Sequence, residues 1–278
     1  MGRVLIRTVR AAFFTGILLS GSLLISVQAL ANTPFNIYPP KSAVQAEKSP
    51  FAAPFGPAED TGPLSPPKKL VAITFDDGPG PHTGDLLDEL KERGAKATFF
   101  IFAQKITPEN TPLIKRMDAD GHCIGSHTYS HTQLTLLTNE EIYQEVKKAD
   151  EAIAEIIGYA PKLLRPPFGS YDKRIIEACG KPMILWSVDT RDWQVHDPNK
   201  VCRRILDTVQ DGDIVLLHDL KASSKDGVIA AIDVMLDEGY SFVTVPELFE
   251  SRGIPLVSGS RYYKAYMDTV NSYEEGGV

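Results

Sequence analysis

Three observations predict an α/β architecture in which parallel strands are joined by crossover helices. Between residues 68 and 253, short β-rich runs alternate with amphipathic stretches of helical length, the pattern of repeated strand-helix units. Helix start and stop signals fall at the junctions, as at Thr138 with Glu141 and at Gly94. The unusual polar residues cluster just past the expected strand ends, where a parallel α/β fold gathers its site.

Residues 70–75 (LVAITF) read as the first strand, followed by a helix over 83–93 that Gly94 stops. Residues 97–102 (ATFFIF) form the second strand and 111–119 the next helix, with a short third strand around Cys123 and Ile124. The clearest helix begins at Thr138, which forms a capping box with Glu141. Ile142, Val146, Ala149, Ile153 and Ile156 follow a four-three spacing, so one face of that helix is buried. Further strands are expected at 163–164, 183–187, 214–217 and 242–245, with helices between them. About seven such units suffice to close a barrel.

The flanks read differently. Residues 1–31 have the parts of a secretory signal in order: three arginines and no acid before residue 11, an apolar run, and Ala29-Leu30-Ala31 as a cleavage site. The apolar run also lies near the lower limit for spanning a bilayer, so an uncleaved membrane anchor is the alternative. Residues 32–67, with Pro-Pro at 39–40 and 66–67, form a Pro-rich linker, and 254–278 a polar tail. A secreted, periplasmic or cell-envelope location follows as an expectation.

Loss of the signal would remove three arginines and no acid, taking the formal charge from -7 to -10. So acidic a chain argues against a nucleic-acid or anionic-lipid partner. Cys123, Cys179 and Cys202 are an odd set without zinc-knuckle spacing. Three buried thiols, or one pair and one spare, are the readings that fit.

Five clusters carry the chemistry. Asp76 and Asp77 stand side by side at the end of the first strand, and strand alternation points them in different directions. One could hold a metal while the other reaches a water, or both could simply cap the next segment. His127 and His131 are four apart, which on one helical turn sets both imidazoles on the same face, within reach of one divalent ion. With Asp77 they make two histidines and a carboxylate, leaving positions open for water and substrate. In R-P-P-F-G, residues 165–169, two prolines and Gly169 make a rigid turn able to aim a backbone N–H at a developing oxyanion. A plain turn with a surface arginine is the alternative. D-T-R-D-W at 189–193 offers two carboxylates and an aromatic wall, or only a solvated loop. His218, in L-L-H-D at the end of a later strand, is suited to donate a proton at neutral pH, or to cap a helix.

Taken in this order, the T-F-D-D-G-P, H-T-x-x-H, R-P-P-x-G, D-x-x-D-W and L-x-H stretches resemble the polysaccharide deacetylases of carbohydrate esterase family 4. The resemblance covers nearly all of residues 68–248. It implies a distorted, incompletely closed (β/α)7 barrel. It implies that Asp77, His127 and His131 bind Zn2+ or another divalent transition metal, and that Asp76 is the general base, oriented by Arg165. Asp192 would pair with His218 and keep it protonated as general acid, while Trp193 and Leu216 shape the pocket for an acetyl methyl. Phe168 departs from the tyrosine usual in that family, which costs a hydroxyl but not the backbone N–H.

The expected activity is hydrolysis of N-acetyl groups on an amino-sugar polymer, peptidoglycan first and chitin-type oligosaccharides second, releasing acetate. An O-acetyl polysaccharide esterase and a catalytically inactive glycan-binding module are the alternatives. A degenerate module should lack one of Asp76, Asp77, His127, His131 or His218, and none is missing. No feature specifies an oligomer.

Overall fold

The computed structural model describes residues 69–266; the expected signal and linker lie outside them. Strand β1 (Lys69–Asp76) is central, with β2 (Ala97–Ile101) on one side and β6 (Ile214–His218) on the other, all parallel. β3 (Cys123–Ser126) extends the sheet beyond β2, and the two-residue β5 (Val188–Asp189) extends it beyond β6. β7 (Tyr240–Phe242) pairs with the first half of β1. β4 (Met183–Ile184) pairs instead with β8 (Arg261–Tyr262), so the parallel strands curl without closing into one continuous barrel. β8 lies in the stretch expected as a tail.

β1 is buried on both faces, as a central parallel strand must be. Val71, Ile73 and Phe75 pack outward with Leu86, Leu87 and Leu90 of α1 (Thr83–Glu92) and Val228 and Ile232 of α6 (Ala222–Asp237). Ala72 belongs to the inner cluster with Phe100, Leu163, Ile184 and Ile214. Side chains two apart share a face, so Ala72, Thr74 and Asp76 all look inward, and a strand patterned for burial delivers a carboxylate to the barrel mouth.

α2 (Thr111–Ala119) and α3 (Asn139–Ile157) follow the expected bounds; α3 carries the Thr138 capping box and buries Ile142, Val146, Ala149 and Ile153. Three expected strands come out differently, that at 183–187 keeping only Met183–Ile184 in β4 before the chain crosses to β5. Residues 163–164 contribute only isolated bridges from Leu164 to Ser126 and Met183, since Pro161, Pro166 and Pro167 close by have no N–H to extend a ladder. Thr244 and Val245 leave the strand early because Thr244 and Glu247 form a second capping box, which starts α7 (Val245–Ser251). α4 (Lys173–Cys179) and α5 (Pro198–Leu206) are the remaining α-helices among the described residues. The three cysteines are free thiols, Cys179 fully buried.

Candidate active site

The C-terminal ends of β1, β3, β5 and β6 surround a cleft of about 490 Å³. Asp76, Asp77, His127, His131, Phe168, Asp192, Trp193, Leu216 and His218 all line it. Arg165, the remaining residue expected at the site, lies behind the wall at 0 % exposure. It is the reverse of a surface arginine.

Arg165 holds the site together. Its Nη1 donates to Asp76 Oδ1 at 2.7 Å and to Thr74 Oγ1 at 2.8 Å. Its Nε and Nη2 donate to the carbonyls of Ile184 and Leu185 at 3.1 and 3.0 Å, and the guanidinium stacks on Phe100 at 4.2 Å. The backbone carbonyl of the same residue accepts from His127 Nδ1 at 2.8 Å. That bond fixes the imidazole tautomer, placing a proton on Nδ1 and a lone pair on Nε2. Burial pulls the guanidinium below its ordinary value while Asp76 holds it up; arginine starts so high that it stays charged. Arg165→Met is expected to destabilise the fold by about 3–5 kcal/mol, because it strands Asp76 as an unpaired buried charge. Urea unfolding checks this, and an unchanged midpoint would refute the role of the pair.

His127 Nε2 faces both carboxylates, 3.7 Å from Asp76 Oδ2 and 3.7 Å from Asp77 Oδ1, and His131 Nε2 lies 3.3 Å from Asp77 Oδ1. Strand alternation alone predicts that Asp76 and Asp77 diverge. They converge because Asp77 has left the strand in the left-handed region, φ 69°. The histidines are not on a helical turn either. Residues 127–133 are irregular, with Thr128 at φ 68° and His131 at φ 58°. The amides of Ala103 and Gln104 donate to the carbonyls of Thr128 and Tyr129 and pin that loop. Tertiary contacts, not helical spacing, bring the imidazoles to a centroid separation of 4.9 Å.

Ligand atoms of Asp77, His127 and His131 lie within 4.8 Å of one another. Asp77 Oδ1 is buried without a hydrogen-bond partner, a costly state unless something else satisfies it. Bonds of about 2.0–2.1 Å at a tetrahedral angle place ligand atoms about 3.3 Å apart, close to the 3.7 and 3.3 Å from Asp77 Oδ1 to the two imidazoles. Burial and then the neighbouring His127 push the His131 imidazolium down, favouring the neutral form that metals take. A divalent transition metal therefore fits these residues.

Across the cleft, His218 Nδ1 bonds Asp192 Oδ1 at 2.9 Å, and the His218 amide donates to Asp192 Oδ2 at 2.8 Å. Burial lowers the imidazolium, but the Asp192 hydrogen bond, with the charges of Asp76, Asp192 and Asp77, outweighs it and the net direction is up. Asp192 moves the other way: burial raises it, and the contacts with His218 then carry it below the usual carboxylate range. Both shifts favour the charged pair, in which Nδ1 is turned to Asp192 and Nε2 is left to donate.

Phe168 stands at φ 61° with 67 % exposure, its ring 4.8 Å from that of His131. A Cβ on Gly169 (φ 62°) would sit 2.7 Å from Trp186, so the loop needs glycine for conformation and for space. Trp193 is 53 % exposed and Leu216 buried. Trp186, Lys221 and Ser224 also line the cleft and were not singled out as site residues by the sequence. Trp186 reads as one more strand residue there; only its placement beside R-P-P-F-G, visible in the fold, marks it.

Residues 64–182 match the sequence profile of the family described as polysaccharide deacetylase. The peptidoglycan-N-acetylglucosamine deacetylase PgdA of Listeria monocytogenes is 37% identical over 202 residues, 72% of this chain and 42% of that protein. This chain therefore spans less than half the length of that relative. A peptidoglycan-N-acetylglucosamine deacetylase of Bacillus cereus is 34% identical over 69% of this chain and 71% of its own length. The structure of peptidoglycan deacetylase PdaC from Bacillus subtilis superposes with a TM-score of 0.65 at 33% identity, covering 68% of this chain and 94% of that one.

Proposed function

The chain belongs to the polysaccharide deacetylase family, and from that premise we propose that it removes N-acetyl groups from an amino-sugar polymer of the cell envelope, peptidoglycan before chitin-type oligomers. The observation that carries this is the position of Asp76. One of its oxygens is held by Arg165 and the other faces the Asp77–His127–His131 cluster, across the cleft from the Asp192-paired His218.

An amide is a poor electrophile with a poor leaving group, so water must be activated, the oxyanion stabilised and the departing amine protonated. A divalent transition metal, zinc first, held by Asp77, His127 and His131, would supply Lewis acidity toward water and the acetyl carbonyl. Asp76 Oδ2 takes the proton from the attacking water, while Arg165 fixes the other oxygen and so its aim. The amides of Gly169 and Ser170 close on the carbonyls of Pro166 and Pro167, and prolines have none, which leaves the Phe168 N–H for the developing oxyanion. His218 gives its proton to the nitrogen as the C–N bond breaks, and acetate and a free amine result. Leu216 and Trp193 enclose the acetyl methyl, with Phe168 and Trp193 presenting apolar faces to the sugar.

The substrate class is supported by the activities named for the Listeria and Bacillus relatives. A location outside the cytoplasm rests on residues 1–31, which lie outside those described. Among the described residues no helix is long and apolar enough to cross a membrane.

Mass spectrometry of peptidoglycan and chitooligosaccharides incubated with the zinc-loaded protein tests the proposal. Loss of acetyl mass with a new free amine is expected; ester hydrolysis would yield no amine. No loss from either polymer with metal bound would defeat it. Asp192→Asn is expected to shift the alkaline limb of the rate profile to lower pH. Asp192, Asp76 and Asp77 hold the His218 proton on against burial, and removing one of these charges releases it earlier. A kcat–pH series in which the alkaline limb does not move would refute the pairing.

A further inference from the structure

One buried carboxyl has no task in this chemistry. Asp219 follows His218 and is fully buried. Its Oδ2 accepts from the Thr83 hydroxyl, and its Oδ1 has no hydrogen-bond partner. Thr83 Oγ1 in turn accepts from the Gly80 amide at 2.8 Å. The carboxylate lies directly against the backbone of Gly78, where a Cβ would stand 2.5 Å from each of its oxygens. A Cβ on Gly80 would be 2.7 Å from the Asp219 carbonyl oxygen. The segment from Asp77 to Thr83 is thus laid over this one residue.

Filling space does not account for a carboxyl here. An apolar side chain would fill the same volume without a buried oxygen left unpaired, which costs free energy. Burial drives the group up to about 6 even against the Thr83 hydrogen bond. Above it, Asp77 holds a left-handed backbone, φ 69°, a conformation that a non-glycine residue keeps only where the surroundings over-determine it.

We infer that Asp219 is a positioning residue, which clamps the strand-end loop through Gly78 and Thr83 so that Asp77 is held facing His127 and His131. It also joins the loop after β1 to the residue after His218, so both sides of the cleft share one anchor. The catalytic part of this role rests on the deacetylase proposal; the clamping of the loop does not.

The test compares Asp219→Leu, Asp219→Asn and Thr83→Val in the full chain. Thr83→Val removes the hydroxyl without changing shape. Asparagine keeps both the shape and an acceptor for Thr83. In metal-free protein, exchange of the Gly80 amide is expected to quicken about tenfold or more in the leucine and valine variants. Their dissociation constant for zinc, by chelator competition, should rise about 10- to 100-fold, as when a partner orienting a metal ligand is lost. At saturating zinc kcat should fall with KM within about twofold, and Asp219→Asn should retain most of the wild-type behaviour in all three measurements. Unchanged Gly80 exchange and zinc affinity in folded Asp219→Leu and Thr83→Val would overturn the inference, as would an asparagine variant as impaired as the leucine one. If Asp219→Leu does not fold, Thr83→Val decides. A wild type inactive on every glycan would defeat the proposed function, while the exchange and zinc measurements would still decide the role of Asp219.

Discussion

Asp76→Asn is expected to lower kcat by about two to four orders of magnitude, the range of general-base losses, while leaving zinc stoichiometry unchanged. The asparagine carbonyl can still accept from Arg165, so the buried guanidinium keeps a partner and the barrel mouth keeps its shape. The ligand set of Asp77, His127 and His131 is left untouched by the change, and Asp76 Oδ1 is already taken by Arg165. What disappears is basicity at Oδ2, the oxygen that looks into the cluster. Kinetics beside metal analysis on one preparation make the check. A variant with near wild-type kcat would remove Asp76 from the chemistry, and one that loses metal and rate together would make it a ligand.

His127→Ala is expected to abolish stoichiometric zinc binding and, with it, activity. The two ligands that remain fall short of the three a catalytic site uses, and the loss should exceed the about 10- to 100-fold typical of removing an outer partner. The change also leaves the Arg165 carbonyl without the donor it has at 2.8 Å, a cost of about 1–3 kcal/mol if nothing replaces it. Thermal unfolding of the metal-free variant therefore belongs beside the titration. A folded variant that still binds one equivalent of zinc would show that the ligands are others.

Much of this was legible in the sequence because it rests on local rules. Thr138 and Glu141 mark the start of α3 wherever the chain goes afterwards, and the spacing of Ile142, Val146, Ala149 and Ile153 names its buried face. The same T-x-x-E spacing at Thr244 and Glu247 was available and separates helix from strand there; the β-branched run before it masked the signal. What was not legible depends on distant contacts. The left-handed turns at Asp77, Thr128 and His131 carry no glycine to announce them, since they are imposed by amides from other segments and by packing from beneath. The pairing of β8 with β4 joins segments nearly eighty residues apart and leaves no periodic trace. Arg165 was visible as a motif member, but its burial was not, because a single arginine reads the same at the surface and under a cleft. Asp219, beside the more conspicuous His218, shows its role only once Gly78 and Thr83 are seen against it.

The claim on which the chemistry depends is that Asp77, His127 and His131 hold the cation while Asp76 stays beside it, unliganded. Diffraction from zinc-soaked crystals at the zinc absorption edge measures this directly. An anomalous peak about 2.0–2.2 Å from Asp77 Oδ1 and from the Nε2 atoms of both histidines, with Asp76 outside bonding distance and still paired to Arg165, is the result expected. A peak elsewhere, or one bonded to Asp76 with Asp77 turned away, would contradict it.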